Sequence, residues 1–208
     1  MDSVRRHWGK IVERARIKLS RIFFVLIFLL ILVSQHKIPE GGIVDLLMEL
    51  FSVVLIFVGV YGRLWCTLFI SGYKTTSLVT TGPYSISRNP LYFFSFIAIL
   101  GIALETEMFT FVALVLIGFA LFYPSVILKE EEKLKEIYGK QFEDYCQRVP
   151  RFLPNFKLYN EPEKYVFDTR LYRRAFLDGI WFVFAYPTLE IIEQLHSHNI
   201  LPVLFRFW

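Results

Sequence analysis

Cysteine is scarce in this chain: Cys66 and Cys146 are the only two in 208 residues, in unlike surroundings and without a Cys-x-x-Cys spacing. A disulfide framework and a thiolate zinc site are therefore not expected. Charge is scarce too. Only 20% of residues are charged, against 55% hydrophobic, and mean hydropathy is +0.46. Soluble domains average about 25% charged and reach roughly 45–50% apolar only when glycine is counted. A water-soluble globule, a disordered chain and a disulfide scaffold all fit this composition badly. There is no internal repeat and no low-complexity tract. The net charge of +4 and pI near 9.0 come without any aromatic-basic ladder, so no nucleic-acid partner is expected.

What the sequence has in quantity is long apolar runs and 22 phenylalanines. A membrane helix needs about 20 mostly apolar residues. Five segments qualify or nearly so: 17–35 with its solid centre at 22–33, 43–61 extending toward 70, 91–104, 108–128, and a weaker one at 175–195 interrupted by Asp178, Pro187, Glu190 and Glu193. The first follows a basic stretch and lacks a small-residue cleavage site, so it reads as a retained anchor. Asp45 and Glu49 read as interfacial residues at the start of the second. Gly59-x-x-Gly62 and Gly118 read as helix-packing positions.

The basic residues orient this array. Seven Lys and Arg lie in 1–21, one in 34–42, three in 62–90, none in 105–107, eleven in 129–174 and one in the tail. With five spans and a cytosolic N-terminus, 21 of the 23 fall inside, as the positive-inside bias requires. The expected fold is an all-α integral membrane bundle of about five transmembrane helices with a cytosolic cofactor pocket. Residues 1–21 form a basic cytosolic segment, 22–154 the core, and 155–208 a connector and fifth apolar helix.

That orientation places the two longest polar loops, 62–90 and 129–174, on one face. Thr80-Thr81-Gly82-Pro83-Tyr84 is a turn by composition. In Arg88-Asn89-Pro90-Leu91-Tyr92, Asn89 suits a helix N-cap and Pro90 the first helical position. The same residues would make an anion site, because a helix N-terminus offers free N–H groups and Arg88 adds a planar fork. Glu130 and Glu131 continue the fourth apolar helix. They read either as a solvated face or as carboxylates for an ammonium, a sulfonium or ribose hydroxyls. Gly139 reads as a helix stop. Residues 149–154, with two prolines, read as an extended segment that either folds back as a lid or merely connects. His196-x-His198 reads as surface residues rather than a metal pair, and no metal site is expected.

Taken together, Gly62-Arg63, Leu78-Val79-Thr80-Thr81-Gly82-Pro83-Tyr84, Arg88-Asn89-Pro90-Leu91-Tyr92, Gly101, Glu130-Glu131, Tyr138-Gly139, Tyr145 and Pro154 resemble the isoprenylcysteine carboxyl methyltransferase and phospholipid N-methyltransferase superfamily over about residues 59–154. The resemblance implies a membrane enzyme using S-adenosylmethionine. It implies that Arg88 meets the cofactor carboxylate, that Asn89, Pro90 and Tyr92 shape the pocket, that Gly82, Pro83 and Tyr84 form an adjoining wall, and that Glu130 and Glu131 face the amine, ribose or sulfonium side. Arg88 and Glu130 are the catalytic candidates. The family histidine is Asn89 here, which keeps hydrogen bonding but does not titrate near neutrality. The implied partners are the bilayer and a lipophilic methyl acceptor, either a prenylcysteine-type carboxylate or a phospholipid headgroup. An NADPH-dependent reductase of the sterol-reductase type and a non-catalytic membrane protein are the alternatives.

Overall fold

The structure, a computed structural model, describes residues 18–19, 21–38, 42–71 and 77–207. The expected basic segment 1–21 lies outside the described residues except at positions 18, 19 and 21. In chain order the elements are α1 (Arg21–Ile31), β1 (Ser34–His36), α2 (Ile43–Ile70), α3 (Pro83–Ile86), α4 (Pro90–Glu105), α5 (Phe109–Tyr138), α6 (Lys140–Arg148), a single 3₁₀ turn at Phe156–Leu158, α7 (Thr169–Ser197) and β2 (Phe205–Phe207).

Three of these helices, α2, α5 and α7, are long and apolar enough to cross a membrane. At 1.5 Å per residue, the 16 residues of α4 reach about 24 Å, short of a hydrocarbon core about 30 Å thick. The five apolar segments are thus present as α1, α2, α4, α5 and α7, and among the described residues three of these have full spanning length. The chain is a helical membrane protein, and its outward surface is apolar: Phe57 and Trp181 are exposed on α2 and α7, where lipid replaces water as the solvent. The all-α expectation needs one amendment. The tail returns to pair β2 with β1 in parallel, because Val33, leaving α1, offers its carbonyl to Leu204 N–H at 2.8 Å.

Small residues set the central packing. A Cβ on Gly59 would sit 2.5 Å from the backbone nitrogen of Ala98, so α2 and α4 touch backbone to backbone. The α4–α5 contact is aromatic, with Phe96 and Phe119 rings 4.4 Å apart. Phe23 of α1 lies over Gly118 and beside Phe122 of α5. α7 packs against α2 and α4. One end of the bundle is closed by Ile31, Met108, Phe111, Leu189 and Ile192. The other carries Cys66, Phe69, Tyr84 and Phe94, with Phe142, Tyr145 and Val149 beyond. Both cysteines are free, Cys66 buried and Cys146 half-buried.

His196 departs from its surface reading: it is 4% exposed, with Nε2 3.0 Å from the Leu32 carbonyl. The returning tail and α1 cover it, an arrangement of distant segments that local sequence does not announce. His198 is exposed as expected. Asp45 and Glu49 do not stand alone at an interface either. Glu49 lies within electrostatic reach of Asp45, Glu190 and Glu193, a polar lining at the end of the bundle away from α6.

Candidate functional site

α5 does not stop where its apolar stretch ends. It runs on through Lys129–Lys133 to Tyr138 and breaks at Gly139, whose φ of +51° suits glycine. α6 then starts and turns back. Its Phe142, Tyr145 and Val149 pack onto Leu134, Tyr138 and Leu78. The Tyr145 hydroxyl donates to the Tyr84 carbonyl at 2.6 Å in a buried setting. Burial pushes the Tyr145 phenol well above its ordinary value, so it remains a donor.

The segment after α6 folds back; it is not a loose connector. Arg88 N–H donates to the Pro150 carbonyl at 2.9 Å, and Asn155 N–H to the Ile86 carbonyl at 2.8 Å. The Ser87 hydroxyl donates to the Phe152 carbonyl at 2.9 Å. Phe152 then plugs into Phe93, Phe96 and Phe119. This strap holds the entrance of α4 against the end of α5.

At that junction Asn89 is the N-cap residue of α4 by position, with Pro90 following, but its side chain makes no cap hydrogen bond. Its Nδ2 instead donates to Glu131 Oε1 at 3.1 Å and to the Arg151 carbonyl at 3.0 Å. Arg151 Nε donates to Glu131 Oε2 at 3.0 Å. Arg88 Nε lies 3.6 Å from Glu131 Oε1, too far for a hydrogen bond, and is buried without a hydrogen-bond partner. Glu131 is 8% exposed. A carboxylate so placed is compensated only by its cations and donors, and here it has two guanidinium groups and an amide.

Arg88, Glu131 and Arg151 wall an open cavity of about 690 Å³, with Leu128, Glu132, Lys135, Phe142, Glu143, Cys146 and Gln147 completing the lining. The volume falls in the range of small-molecule sites, roughly 300–1,000 Å³. Its wall is charged in both signs: Arg88, Arg151 and Lys135 against Glu131, Glu132 and Glu143. Such a wall suits a zwitterion. S-Adenosylmethionine carries a carboxylate, an amine and a sulfonium, and the Arg88 guanidinium in the cavity wall suits its carboxylate. The residues present fit that cofactor.

The other sequence candidates are distributed around this centre. Glu130, one residue on, points away from the cavity and accepts from the Tyr92 hydroxyl at 2.8 Å; Tyr92 in turn meets the Tyr123 ring edge-on at 5.6 Å. So the two glutamates diverge, Glu131 into the cavity and Glu130 onto the flank of α4. Gly82, Pro83 and Tyr84 sit behind Arg88 as the start of α3 and are not part of the cavity wall. Gly82, at φ +59°, donates to the Asn160 carbonyl at 2.8 Å and anchors the strap's far end. Pro90 is buried at the first turn of α4. Sequence reasoning missed Arg151 and Ser87. The signal for Arg151 was present: a cation between Pro150 and Phe152, in a segment too extended to hide it. Among the described residues no group of three His, Cys, Asp or Glu is placed to hold a metal ion.

Residues 41–141 match the phospholipid methyltransferase family model. Among curated proteins, the chain is 33% identical over 191 residues to the nickel-cobalt-cadmium resistance protein NccN of Alcaligenes xylosoxydans xylosoxydans, covering 92% of this chain and 89% of the relative. It is 32% identical to the cobalt-zinc-cadmium resistance protein CzcN of Cupriavidus metallidurans, covering 91% and 87%. No solved structure matches the chain. The matched region spans α2 to the start of α6 and so contains Arg88, Asn89, Tyr92, Glu130 and Glu131. The chain belongs to the phospholipid methyltransferase family, within the isoprenylcysteine and phospholipid methyltransferase superfamily.

Proposed function

We propose that the protein transfers a methyl group from S-adenosylmethionine to a lipophilic acceptor, a prenylcysteine-type carboxylate or a phospholipid headgroup, at the cytosolic face of its membrane. The observation that carries this reading is the buried Arg88 Nε, without a hydrogen-bond partner, beside Glu131 at the wall of the cavity. Bound there, the cofactor supplies a methyl on a sulfonium, which passes to the acceptor while the S–CH₃ electron pair stays with sulfur. The chain's work is to position the participants. Arg88 holds the carboxylate end of the donor. Glu131, fixed by Asn89 and Arg151, faces its cationic part. Tyr92 and Glu130 form the flank toward the membrane, where a lipid acceptor arrives.

The test is transfer of labelled methyl from S-adenosylmethionine into membrane lipid or farnesylcysteine by the purified protein. Wild type transfers label, and Arg88→Ala and Glu131→Gln lose it. Absence of transfer from wild type to either acceptor class, together with absence of cofactor binding, contradicts the reading.

A second reading is a membrane protein that keeps the family fold without catalysis and serves metal resistance. The names of the two relatives favour it, as does Asn89 where the family has histidine. Against it, Asn89 is fully engaged with Glu131 and Arg151, so the substitution leaves the polar network connected. Failure to bind either S-adenosylhomocysteine or NADPH would support this second reading; binding NADPH alone would support a reductase.

A further inference from the structure

Inside the bundle lies a charge that the methyltransferase site does not use. Arg63 stands seven residues before the end of α2, about 10 Å along the helix axis. Its guanidinium donates to the Ser95 hydroxyl on α4 and sits 5.2 Å from the centre of the Phe182 ring on α7. Tyr123 on α5 and Asp178 on α7 lie within electrostatic reach. α2, α4, α5 and α7 therefore converge on one cation.

The cation is underused where it stands. A guanidinium has five N–H donors. Among the described residues Arg63 has one hydrogen-bond acceptor, Ser95, and no carboxylate within 4.0 Å. Its side chain is half-buried, so the remaining donors are not sealed by protein. A charge at membrane depth is costly, and such residues ordinarily mark a ligand or an ion path. Arg88 and Arg151, by contrast, already share Glu131. The link from Arg63 to the site is short and physical. Ser95 also donates to the Leu91 carbonyl, one residue before Tyr92. Tyr92 contacts the Tyr123 ring and donates to Glu130.

We propose that Arg63 is the seat for a phosphate carried on the methyl acceptor's lipid chain, held inside the bundle between Ser95, Tyr123 and Phe182, so that the reacting group beyond the phosphate stays free to reach the donor. This rests on the methyltransferase reading above. An apolar tail suits the surrounding aromatic and aliphatic walls, and the planar fork of arginine suits a two-oxygen anion. The acceptor's charge then selects it from the neutral lipids that share its tails. Arg63 thus sets acceptor specificity, whereas Arg88 and Glu131 hold the donor.

The experiment measures binding to the full chain in detergent with S-adenosylhomocysteine present. The paired probes are N-acetyl-S-farnesylcysteine against its methyl ester, and dioleoyl phosphatidylethanolamine against dioleoylglycerol. Wild type prefers the phosphate-bearing phosphatidylethanolamine over dioleoylglycerol by about tenfold or more, and the farnesylcysteine pair, whose carboxylate is the reacting group, is the comparison in which any preference is independent of Arg63. Arg63→Gln reduces the phosphatidylethanolamine preference to about threefold or less, while S-adenosylhomocysteine affinity stays within about threefold of wild type. If Arg63→Gln does not fold, Arg63→Lys decides: it keeps the charge, loses the fork and retains only part of the preference. Wild type that binds S-adenosylhomocysteine but does not prefer phosphatidylethanolamine over dioleoylglycerol overturns the proposal and leaves the methyltransferase reading standing. So does an undiminished preference in Arg63→Gln or Arg63→Lys. Wild type that does not bind S-adenosylhomocysteine removes the methyltransferase reading itself.

Discussion

Asn89 Nδ2 donates to Glu131 Oε1 across 3.1 Å, joining residues 42 apart in the chain. This bond, with Arg151 on the other carboxylate oxygen, ties the entrance of α4 to the membrane-emergent part of α5. Hydrogen bonds to charged groups contribute about 1.5–3 kcal/mol. Asn89→Ala is expected to weaken S-adenosylhomocysteine binding by roughly tenfold or more and to lower Tm. Asn89→His, which restores a donor, is expected to stay close to wild type in both. Calorimetric titration and thermal unfolding of the two variants check this; equal losses in both would show that the amide geometry, not donation to Glu131, matters.

The Tyr145–Tyr84 bond makes a separate prediction about stability. Tyr145→Phe removes the hydroxyl that satisfies a buried carbonyl, at an expected cost of about 1–3 kcal/mol. Thermal unfolding should show a lower Tm, with the cavity residues otherwise intact. An unchanged Tm would mean that the bond is not formed.

Helix contact supplies a third. Gly59→Leu places a branched side chain where even a Cβ meets the Ala98 backbone at 2.5 Å. Overpacking of this kind costs about 1–3 kcal/mol or more. The variant should unfold at lower temperature and yield less folded protein on size-exclusion chromatography. Gly139→Ala, where no atom lies within 4 Å of the added Cβ but φ is +51°, should cost less and act through backbone strain alone.

The turn between α4 and α5 predicts a pH dependence. Glu107 is 2% exposed; burial, with Asp45 adding to it, pushes its carboxyl from about 4.5 up to about 8. The folded chain therefore holds a proton that the unfolded chain releases. Its stabilising contribution is complete below about pH 4.5 and is lost as pH rises through about 8. His36 faces both Glu107 and Glu193, at 3.3 and 3.2 Å. The relevant readout is consequently the difference between wild type and Glu107→Gln. Wild-type Tm should fall more steeply than that of the variant between pH 5 and pH 9. Parallel curves would contradict the assignment.

Much of the helical layout was legible because long apolar runs have few other fates: α2, α4, α5 and α7 all cover the segments read from hydropathy. The return of the tail was not legible in the same way, since hydropathy does not reveal that α1 turns at Leu32-Val33 to feed β1, which pairs with β2. The site was half legible. Arg88 and Glu131 lie together, the juxtaposition that the family resemblance implied, and Asn89 joins them. The divergence of Glu130 from Glu131 follows from the roughly 100° between successive residues of a helix, and required knowing that α5 continues unbroken past the apolar stretch. Arg151 escaped because its partner is 20 residues earlier and is reached only when the strap folds back. His196 escaped for a like reason, its acceptor being the Leu32 carbonyl 164 residues away.

The measurement that bears most directly on the central claim is calorimetric binding of S-adenosylhomocysteine to purified wild type, Arg88→Gln, Glu131→Gln and, as a control in β2, Arg206→Gln. The account predicts binding to wild type and to Arg206→Gln, and a loss of about tenfold or more in each of the other two variants. No binding to wild type, or equal binding to all four, would contradict it.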